Sequence, residues 1–314
     1  MLTIPSIREL CEPDEADEVE IPHPREVVVD DRDDGDDGSQ PFAVFDIETS
    51  PLDDVTLSAL CPPYEAPEKP GEFDPASVKY GNTKDAEKRK AKLEEEMAKH
   101  AAAVKDYDMT VAKGAAEHFA KFKDKAALDA TTGRVVAIGV DPLQFGVSPD
   151  LFDAKPGIID CDGPAESFFD ELSGLKMFWG WVENCLAAQR PMLSFNGHVF
   201  DIPFLWQRSV ILGIPIPHGV YQGRYPNPLF IDLMKEWTRY QSGKFVKLDV
   251  IAKAMGLAGK ASGSFTLPSG EVVVVDGAGF YKAWRRPECR ELAVKYLEQD
   301  VLLPGLIAQR MGVV

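Results

Sequence analysis

The sequence has few cysteines, no long apolar run and a deficit of basic residues. Its five cysteines lie far apart along 314 residues, with no CxxC pair and no histidine at zinc spacing. This argues against a zinc site or a disulfide framework and favours a reducing compartment. No run of about 18 apolar residues is present to span a bilayer, and the N-terminus lacks the basic start and apolar stretch of a secretory signal. We therefore expect a soluble, cytoplasmic protein without membrane contact.

Lys and Arg number 34, against 51 Asp and Glu. Such an excess of negative charge at first argues against nucleic acid as a partner, because phosphates attract Lys and Arg. Residues 1–40 alone carry a net charge of −11, which leaves −6 for residues 41–314. Because the acidic stretch can bury little apolar surface, we predict a largely disordered tail over residues 1–40 and one domain over residues 41–314.

Hydrophobic periodicity predicts strands and helices in an order typical of an α/β domain. In the helix predicted over residues 165–188, the expected inward side chains include Phe168, Phe169 and Leu172. The predicted strands are residues 42–48, 135–140, 157–161 and 192–195, the predicted helices are residues 165–188, 201–212, 248–255 and 287–311, and a hairpin is predicted over residues 264–275.

The connection between the first two predicted strands is long, covering about residues 55–130. It begins with a proline-rich loop, and residues 84–125 then show helical periodicity, which predicts one amphipathic helix, or two with a break near Gly114. Residues 79–125 carry a net charge of +3. This charge would suit a clamp on nucleic acid, although a helical arm packed on the domain is the simpler interpretation.

Two carboxylates share one face of the first predicted strand. Asp46 and Glu48 alternate with Phe45 and Ile47, so both acids point to the same side. Burying two carboxylates is costly unless a cation or hydrogen-bond donors compensate, and no Lys or Arg lies within the strand. A divalent ion such as magnesium or manganese, which prefers oxygen ligands, would supply the charge. A solvent-facing strand end is the alternative.

Two further acids, Asp201 and Asp300, are candidate ligands of the same metal site. Asp201 precedes Pro203 at a predicted helix start, where helix capping alone would explain it. Asp300 follows Tyr296 by four residues, so both side chains share one face of the last predicted helix. Each acid has an ordinary explanation by itself, whereas the local frames and their order together favour a metal site.

Other polar residues are assigned ordinary roles. His198 is as well explained as a turn residue as by a substrate contact, and Asp232 is predicted to cap a helix rather than to bind a metal. Lys244, Lys247 and Lys260 could meet backbone phosphates, but scattered lysines usually mark a solvated surface.

Three motifs in order resemble a known family. DxE in a strand at residues 46–48, NxxxFDxPxL after a strand at residues 196–205 and YxxxD on a final helix at residues 296–300 resemble the DEDD superfamily of 3′–5′ exonucleases. The tyrosine places the resemblance in the DEDDy branch, and the chain is similar to the proofreading exonuclease domain of family B DNA polymerases. The resemblance covers roughly residues 41–60 and 132–312.

This resemblance implies a fold and a metal site. The fold is RNase H-like, a mixed five-stranded sheet flanked by helices, here with a long helical insertion after the first strand. Asp46, Glu48, Asp201 and Asp300 are implied to hold two divalent ions, Mg²⁺ or Mn²⁺, with Asp46 reaching both. Tyr296 is implied to orient or help activate the attacking water.

The same resemblance implies substrate contacts and shows two departures. Thr49, Asn196 and Phe200 are the implied contacts of the terminal nucleotide. The long insertion is foreign to the minimal domain, and residues 301–304 read Val-Leu-Leu-Pro where relatives often have a threonine. Both departures bear on substrate fit and regulation rather than on metal binding.

The expected activity is two-metal hydrolysis of single-stranded or frayed DNA 3′ ends to nucleoside 5′-monophosphates. An RNA 3′–5′ exonuclease resembling RNase D and a non-catalytic RNase H-like nucleic-acid-binding module remain the alternatives, with DNA favoured over RNA. A protein-interaction role for the tail and helical arm is a further alternative. Because no polymerase domain fits in this length, a proofreading role is expected to need a replication or repair protein as partner.

Overall fold

The structure, a computed structural model, describes residues 42–141, 156–260, 263–267 and 269–313. The tail predicted over residues 1–40 lies outside these ranges and stays a prediction. The strands are β1 (Ala43–Pro51), β2 (Gly133–Asp141), β3 (Gly157–Asp160), β4 (Met192–Ser194), β5 (Tyr221–Gln222), β6 (Tyr225–Pro226), β7 (Phe230–Asp232), β8 (Gly263–Thr266) and β9 (Val272–Val275). The helices are α1 (Asp54–Leu60), α2 (Ala86–Ala126), α3 (Glu171–Ala187), α4 (Asp201–Ile211), α5 (Leu233–Thr238), α6 (Leu248–Ala254), α7 (Phe280–Trp284) and α8 (Arg290–Met311).

Five strands form a mixed sheet in the order β3-β2-β1-β4-β7. The strand β2 runs antiparallel to β1 and β3, whereas β1, β4 and β7 are parallel to one another. Two small hairpins, β5-β6 and β8-β9, lie outside this sheet. The predicted RNase H-like class, with its mixed five-stranded sheet flanked by helices and its long helix after the first strand, is confirmed.

The strand β1 lies at the centre of the sheet and separates two cores, as its alternating pattern predicts. On one face, Phe45 packs against Phe178 and Trp181 of α3 and against Phe230 of β7. On the other face, Val44 packs in a cluster with Val301 of α8. The helix α8 therefore covers the face of β1 from which Asp46 and Glu48 project.

The helix α3 begins later than the periodicity predicts, and three of its expected core residues are wrong. Phe168 and Phe169 are 66% and 55% exposed, and Leu172 is 36% exposed. The cause is a capping residue: the Asp170 carboxylate accepts the backbone N–H of Ser173 at 2.8 Å, so the helix starts at Glu171. The chain before this cap forms turns, and its two phenylalanines lie on the surface.

The insertion forms one continuous helix, α2, so the break considered near Gly114 is wrong. A Cβ on this residue would lie 2.1 Å from the Tyr64 hydroxyl, which shows that the glycine gives Tyr64 room to pack on the helix. The proline-rich loop follows α2 in the opposite direction: the Tyr107 hydroxyl donates to the Pro67 carbonyl at 3.0 Å, and His118 Nε2 lies 3.0 Å from the Pro62 carbonyl. The insertion is thus a helical arm braced by its own loop.

The last helix follows a 3₁₀ turn at Pro287–Cys289, so regular α-helix begins at Arg290 rather than at the predicted proline. It continues through Pro304 to Met311. Within the described ranges, none of the helices combines the length and the apolar character needed to cross a bilayer.

Candidate active site

The strand β1 brings Asp46 and Glu48 to the face covered by α8. Asp46 pairs with Gly139 of β2, and the register shifts between Glu48 and Thr49, where the ladder is irregular. Glu48 is buried at 7% exposure, whereas Asp46 is partly buried. Both acids therefore lie on the face of β1 that α8 covers, as the alternation of acidic and apolar residues along the strand predicts.

Gly139 lets α8 approach the sheet beside these acids. A Cβ on this glycine would lie 2.5 Å from Cγ2 of Val301 and 3.1 Å from the Leu297 side chain, closer than carbon atoms pack. The absence of a side chain therefore lets the middle of α8 lie directly over β2. Tyr296 and Asp300, both buried on that stretch of helix, are thereby held over β1.

Three carboxylates meet at this point. Ligand oxygens of Asp46, Glu48 and Asp300 all lie within 4.8 Å of one another. Asp300 Oδ1 is buried and has no hydrogen-bond partner among the described residues. A buried carboxylate oxygen without a partner is costly, and an oxygen cluster of this size suits a hard divalent cation. The residues present therefore fit a magnesium or manganese ion.

Burial and charge repulsion raise the pKa values of the clustered carboxylates. Burial raises the pKa of Asp46 well above its usual value, and the neighbouring carboxylates of Asp300 and Asp201 raise it further. Burial likewise raises the pKa of Glu48, with Asp46 and Asp300 adding to the effect. Carboxylates with raised pKa values hold protons that a bound metal ion would displace.

Asp201 lies beside β1 but outside the group of three. Its Oδ1 accepts the backbone N–H of Ile47 at 3.3 Å, and the residue is 3% exposed. Burial raises its pKa to about 7, against which hydrogen bonds from backbone N–H groups act. The helix α4 is capped by Phe200 without a side-chain bond, so capping does not account for Asp201. Its role as a metal ligand stays a prediction.

Lys260 belongs to the site, although the sequence alone suggests an ordinary surface lysine. Its Nζ donates to Asp300 Oδ2 at 2.7 Å and lies 5.2 Å from the centre of the Tyr296 ring. Burial lowers the pKa of Lys260, but the carboxylates of Asp300, Asp46 and Glu48 outweigh it, and the net pKa is raised. Position 260 lies 40 residues before Asp300, so no local spacing signals this contact.

The three residues predicted to contact a nucleotide have different local environments. The Thr49 hydroxyl donates to the Ala127 carbonyl at 2.7 Å, which fastens the end of the α2 arm to β1. Asn196 adopts a left-handed conformation with φ of 67° just after β4, and Phe200 is partly buried against Phe204. Contacts of Thr49, Asn196 and Phe200 with a nucleotide stay predictions.

A buried carboxylate orders the second motif. Asp232 Oδ1 and Oδ2 accept the backbone N–H groups of Asn196 at 3.0 Å and His198 at 3.2 Å. Oδ1 also caps α5 by accepting the N–H of Met234 at 3.0 Å. The prediction that Asp232 caps a helix is confirmed. His198 Nε2 lies 2.7 Å from the Phe230 carbonyl, so this ring also braces the loop.

We expect the stability of the metal-free protein to fall with rising pH between about 4 and above 7. Asp46, Glu48 and Asp201 have raised pKa values, so in this window the folded state binds more protons than the unfolded state. Divalent ions require the deprotonated acids. Magnesium or manganese should therefore raise the melting temperature clearly at pH 8 and little at pH 5, measured by thermal denaturation with a chelator-treated reference. An equal rise at both pH values would contradict this.

Comparison with known families agrees with the motifs. Residues 158–307 match the family described as "Predicted 3'-5' exonuclease related to the exonuclease domain of PolB". The similarity to this exonuclease type, inferred from the three motifs, is thereby confirmed. The matched range includes Asp201, Tyr296 and Asp300 and begins after β1, so Asp46 and Glu48 are placed by the structure rather than by the family match.

One solved structure that the chain resembles is the family B DNA polymerase from the hyperthermophilic archaeon Pyrobaculum calidifontis. The two are 19% identical, with a TM-score of 0.42, and the similarity covers 60% of this chain and 23% of the polymerase. Among curated protein sequences, none matches the chain significantly.

Proposed function

We propose, from the match of residues 158–307 to the 3′–5′ exonuclease family, that this chain removes nucleotides from the 3′ ends of single-stranded or frayed DNA. The observation that carries the proposal is the convergence of Asp46, Glu48 and Asp300 within 4.8 Å, with a buried Asp300 oxygen left unpaired among the described residues. Products would be nucleoside 5′-monophosphates. The similarity covers 23% of the polymerase that the chain resembles. For a proofreading role, a replication or repair protein is the proposed partner.

The chain would hold divalent ions through Asp46, Glu48 and Asp300, with Asp201 beside them. Bound there, the ions would supply an activated water and would stabilise the leaving 3′ oxygen. β1 and α8 hold the carboxylate oxygens in place as ligands for the ions. Because α8 packs against β1, bulk water is excluded from the side of the cluster that faces the protein interior. Lys260 offsets part of the negative charge of Asp300, which keeps three close acids compatible with a folded site.

Tyr296 acts on the attacking water as a hydrogen-bond donor. Burial raises its pKa above the ordinary value, and the carboxylates of Asp300, Glu48 and Asp46 raise it further. The phenol therefore stays protonated at neutral pH and cannot serve as a base. It can donate to and orient a water beside the cluster.

Tyr296→Phe should lower kcat by roughly 10- to 100-fold, since one oriented hydrogen bond is removed. The ring still packs against Phe280, so the fold should be kept. The rise in melting temperature on adding magnesium should stay as in the wild type, because the acids are intact. Single-turnover hydrolysis and thermal denaturation measure the two effects. Loss of the metal-induced shift would show instead that the tyrosine is needed to assemble the metal site.

The decisive experiment compares 5′-labelled DNA and RNA of one sequence with magnesium, manganese or chelator. We expect DNA to shorten from the 3′ end one nucleotide at a time, only when a divalent ion is present. Faster digestion of RNA would replace the substrate assignment with an RNA exonuclease. If both oligonucleotides bind and neither is shortened, the chain is a non-catalytic binding module, and the proposed function is wrong.

A further inference from the structure

A short surface segment between β7 and α6 combines aromatic and basic side chains. Residues 235–247 contain four basic residues and one acidic residue, a net charge of +3 in a protein of net charge −17. The segment also exposes three rings: Trp237 is 39%, Tyr240 is 61% and Phe245 is 64% exposed. Exposed apolar side chains that lie together mark binding surfaces more often than side chains that are scattered singly.

The backbone of this segment is held in an unfavourable conformation. Arg239 and Tyr240 have φ values of 49° and 58°, and two successive residues with side chains rarely adopt this left-handed region. The Tyr240 hydroxyl donates to Glu236 Oε1 at 2.7 Å, which fixes the ring at the surface. These two residues end α5: the backbone N–H groups of Arg239 and Tyr240 donate to the carbonyls of Glu236 and Lys235, which holds the chain in this conformation.

The position of the segment connects it to the carboxylate cluster. It leaves the sheet at Asp232, the residue that holds the backbone of Asn196 and His198 in the second motif. It ends at α6, whose Leu248 and Ile251 pack in a cluster with residues of α8, the helix that carries Asp300. The exposed rings therefore lie between β7, which contacts the second motif through Asp232, and α6, which packs against the helix of the third motif.

We propose that Trp237, Tyr240 and Phe245, with Lys235, Arg239 and Lys244, form a stacking platform for the bases of a single-stranded nucleic acid. Successive bases stack on aromatic rings without regard to sequence, and neighbouring cations contact the phosphates. The proposal rests on the proposed function, because the platform would hold the strand whose 3′ end enters the candidate site. The alternation of rings and positive charge favours this occupant over an apolar protein partner.

The test measures binding without catalysis. Fluorescence anisotropy of a labelled single strand of about 15 nucleotides, as DNA and as RNA, is recorded in chelator for the wild type and for the triple variant Trp237→Ala, Tyr240→Ala, Phe245→Ala. The triple variant should bind at least about 30-fold more weakly, given the usual contribution of base stacking on an aromatic ring. Because Trp237 is only 39% exposed and Tyr240 donates to Glu236, the melting temperature should fall slightly, and affinities are compared well below it.

Two further variants sharpen the test. Replacing Phe168 and Phe169 by alanine removes two exposed rings that lie beside Glu166 and Asp170 in the sequence, and it should leave affinity unchanged. Replacing Arg239 and Lys244 by glutamine should reduce the dependence of log affinity on log salt by roughly 0.7 for each phosphate that is no longer neutralised.

Catalysis is followed separately with thymidine 5′-monophosphate p-nitrophenyl ester, a one-nucleotide substrate too short to reach the platform. The triple variant should hydrolyse this ester as the wild type does, while its KM for the oligonucleotide rises. Wild-type affinity in the triple variant would overturn the platform, and so would a wild-type protein that binds neither strand. Failure of the wild type to hydrolyse ester and oligonucleotide would instead refute the proposed function, and the binding data would still decide the platform.

Discussion

Asp46→Ala should abolish hydrolysis, with a fall in kcat of at least about 10³-fold, because it removes an oxygen ligand from the centre of the cluster. The same variant should not destabilise the metal-free protein. In the wild type the Asp46 carboxylate is repelled by Asp300 and Asp201, and its pKa is raised by burial and by these neighbours. Removal of one repelling charge should leave the melting temperature in chelator at pH 8 equal to or above that of the wild type.

The combination of abolished activity and kept stability distinguishes a metal site from a structural cluster. The metal-induced rise in melting temperature should disappear in Asp46→Ala, as measured by thermal denaturation with and without magnesium or manganese. Asp108→Ala, which removes an exposed acid on α2, serves as the matched control and should keep both activity and the metal response. Full activity in Asp46→Ala would show that the assignment of the site is wrong.

Arg208→Met should lower the free energy of unfolding by about 3–5 kcal/mol, since it leaves a buried carboxylate without its cation. Arg208 Nε and Nη2 donate to the two Glu171 oxygens at 2.9 and 2.7 Å, and both side chains are nearly inaccessible. Nη1 also donates to the Ala130 carbonyl at 3.1 Å, and Glu171 accepts the N–H of Val135 at 2.8 Å. The Arg208–Glu171 pair therefore joins α4 and α3 to β2 and to the turn that precedes it.

Urea denaturation of two further variants tests whether the Arg208–Glu171 pair is a structural link. The double variant Arg208→Met, Glu171→Gln should recover part of the stability, because no uncompensated charge then remains inside. Lys295→Met, which breaks an exposed pair with Glu291 on α8, should leave stability almost unchanged. A decrease below about 1 kcal/mol in Arg208→Met would show that water reaches Glu171 and that the pair is not a structural link.

Local patterns predicted the central elements well. The alternation of Phe45 and Ile47 with acids gave the two faces of β1 correctly, and the four-residue spacing of Tyr296 and Asp300 placed both on one face of α8. These predictions succeeded because periodicity depends on side-chain direction within a single element, which the backbone determines without reference to the rest of the chain.

Predictions that depended on contacts between distant segments failed or were not made. The sequence left open whether the insertion forms one helix or two, and the structure shows one, with Tyr64, 50 positions away, filling the space beside Gly114. The start of α3 was predicted too early. Phe168 and Phe169 fit a helical pattern, but the Asp170 cap makes the helix begin at Glu171. Lys260 was assigned to the solvated surface although it donates to Asp300, since nothing within its own segment shows which residue lies opposite.

The sequence by itself determined that acids lie on a central strand, at a helix start and on the last helix, because each position follows from local periodicity and from the order of three motifs. Only the tertiary structure decided that three of these acids meet within 4.8 Å and that Asp201 lies beside them on the β1 backbone. The physical reason is that convergence depends on how closely α8 approaches the sheet. That distance is determined by the missing side chain of Gly139 against Val301, a long-range contact that no local pattern encodes.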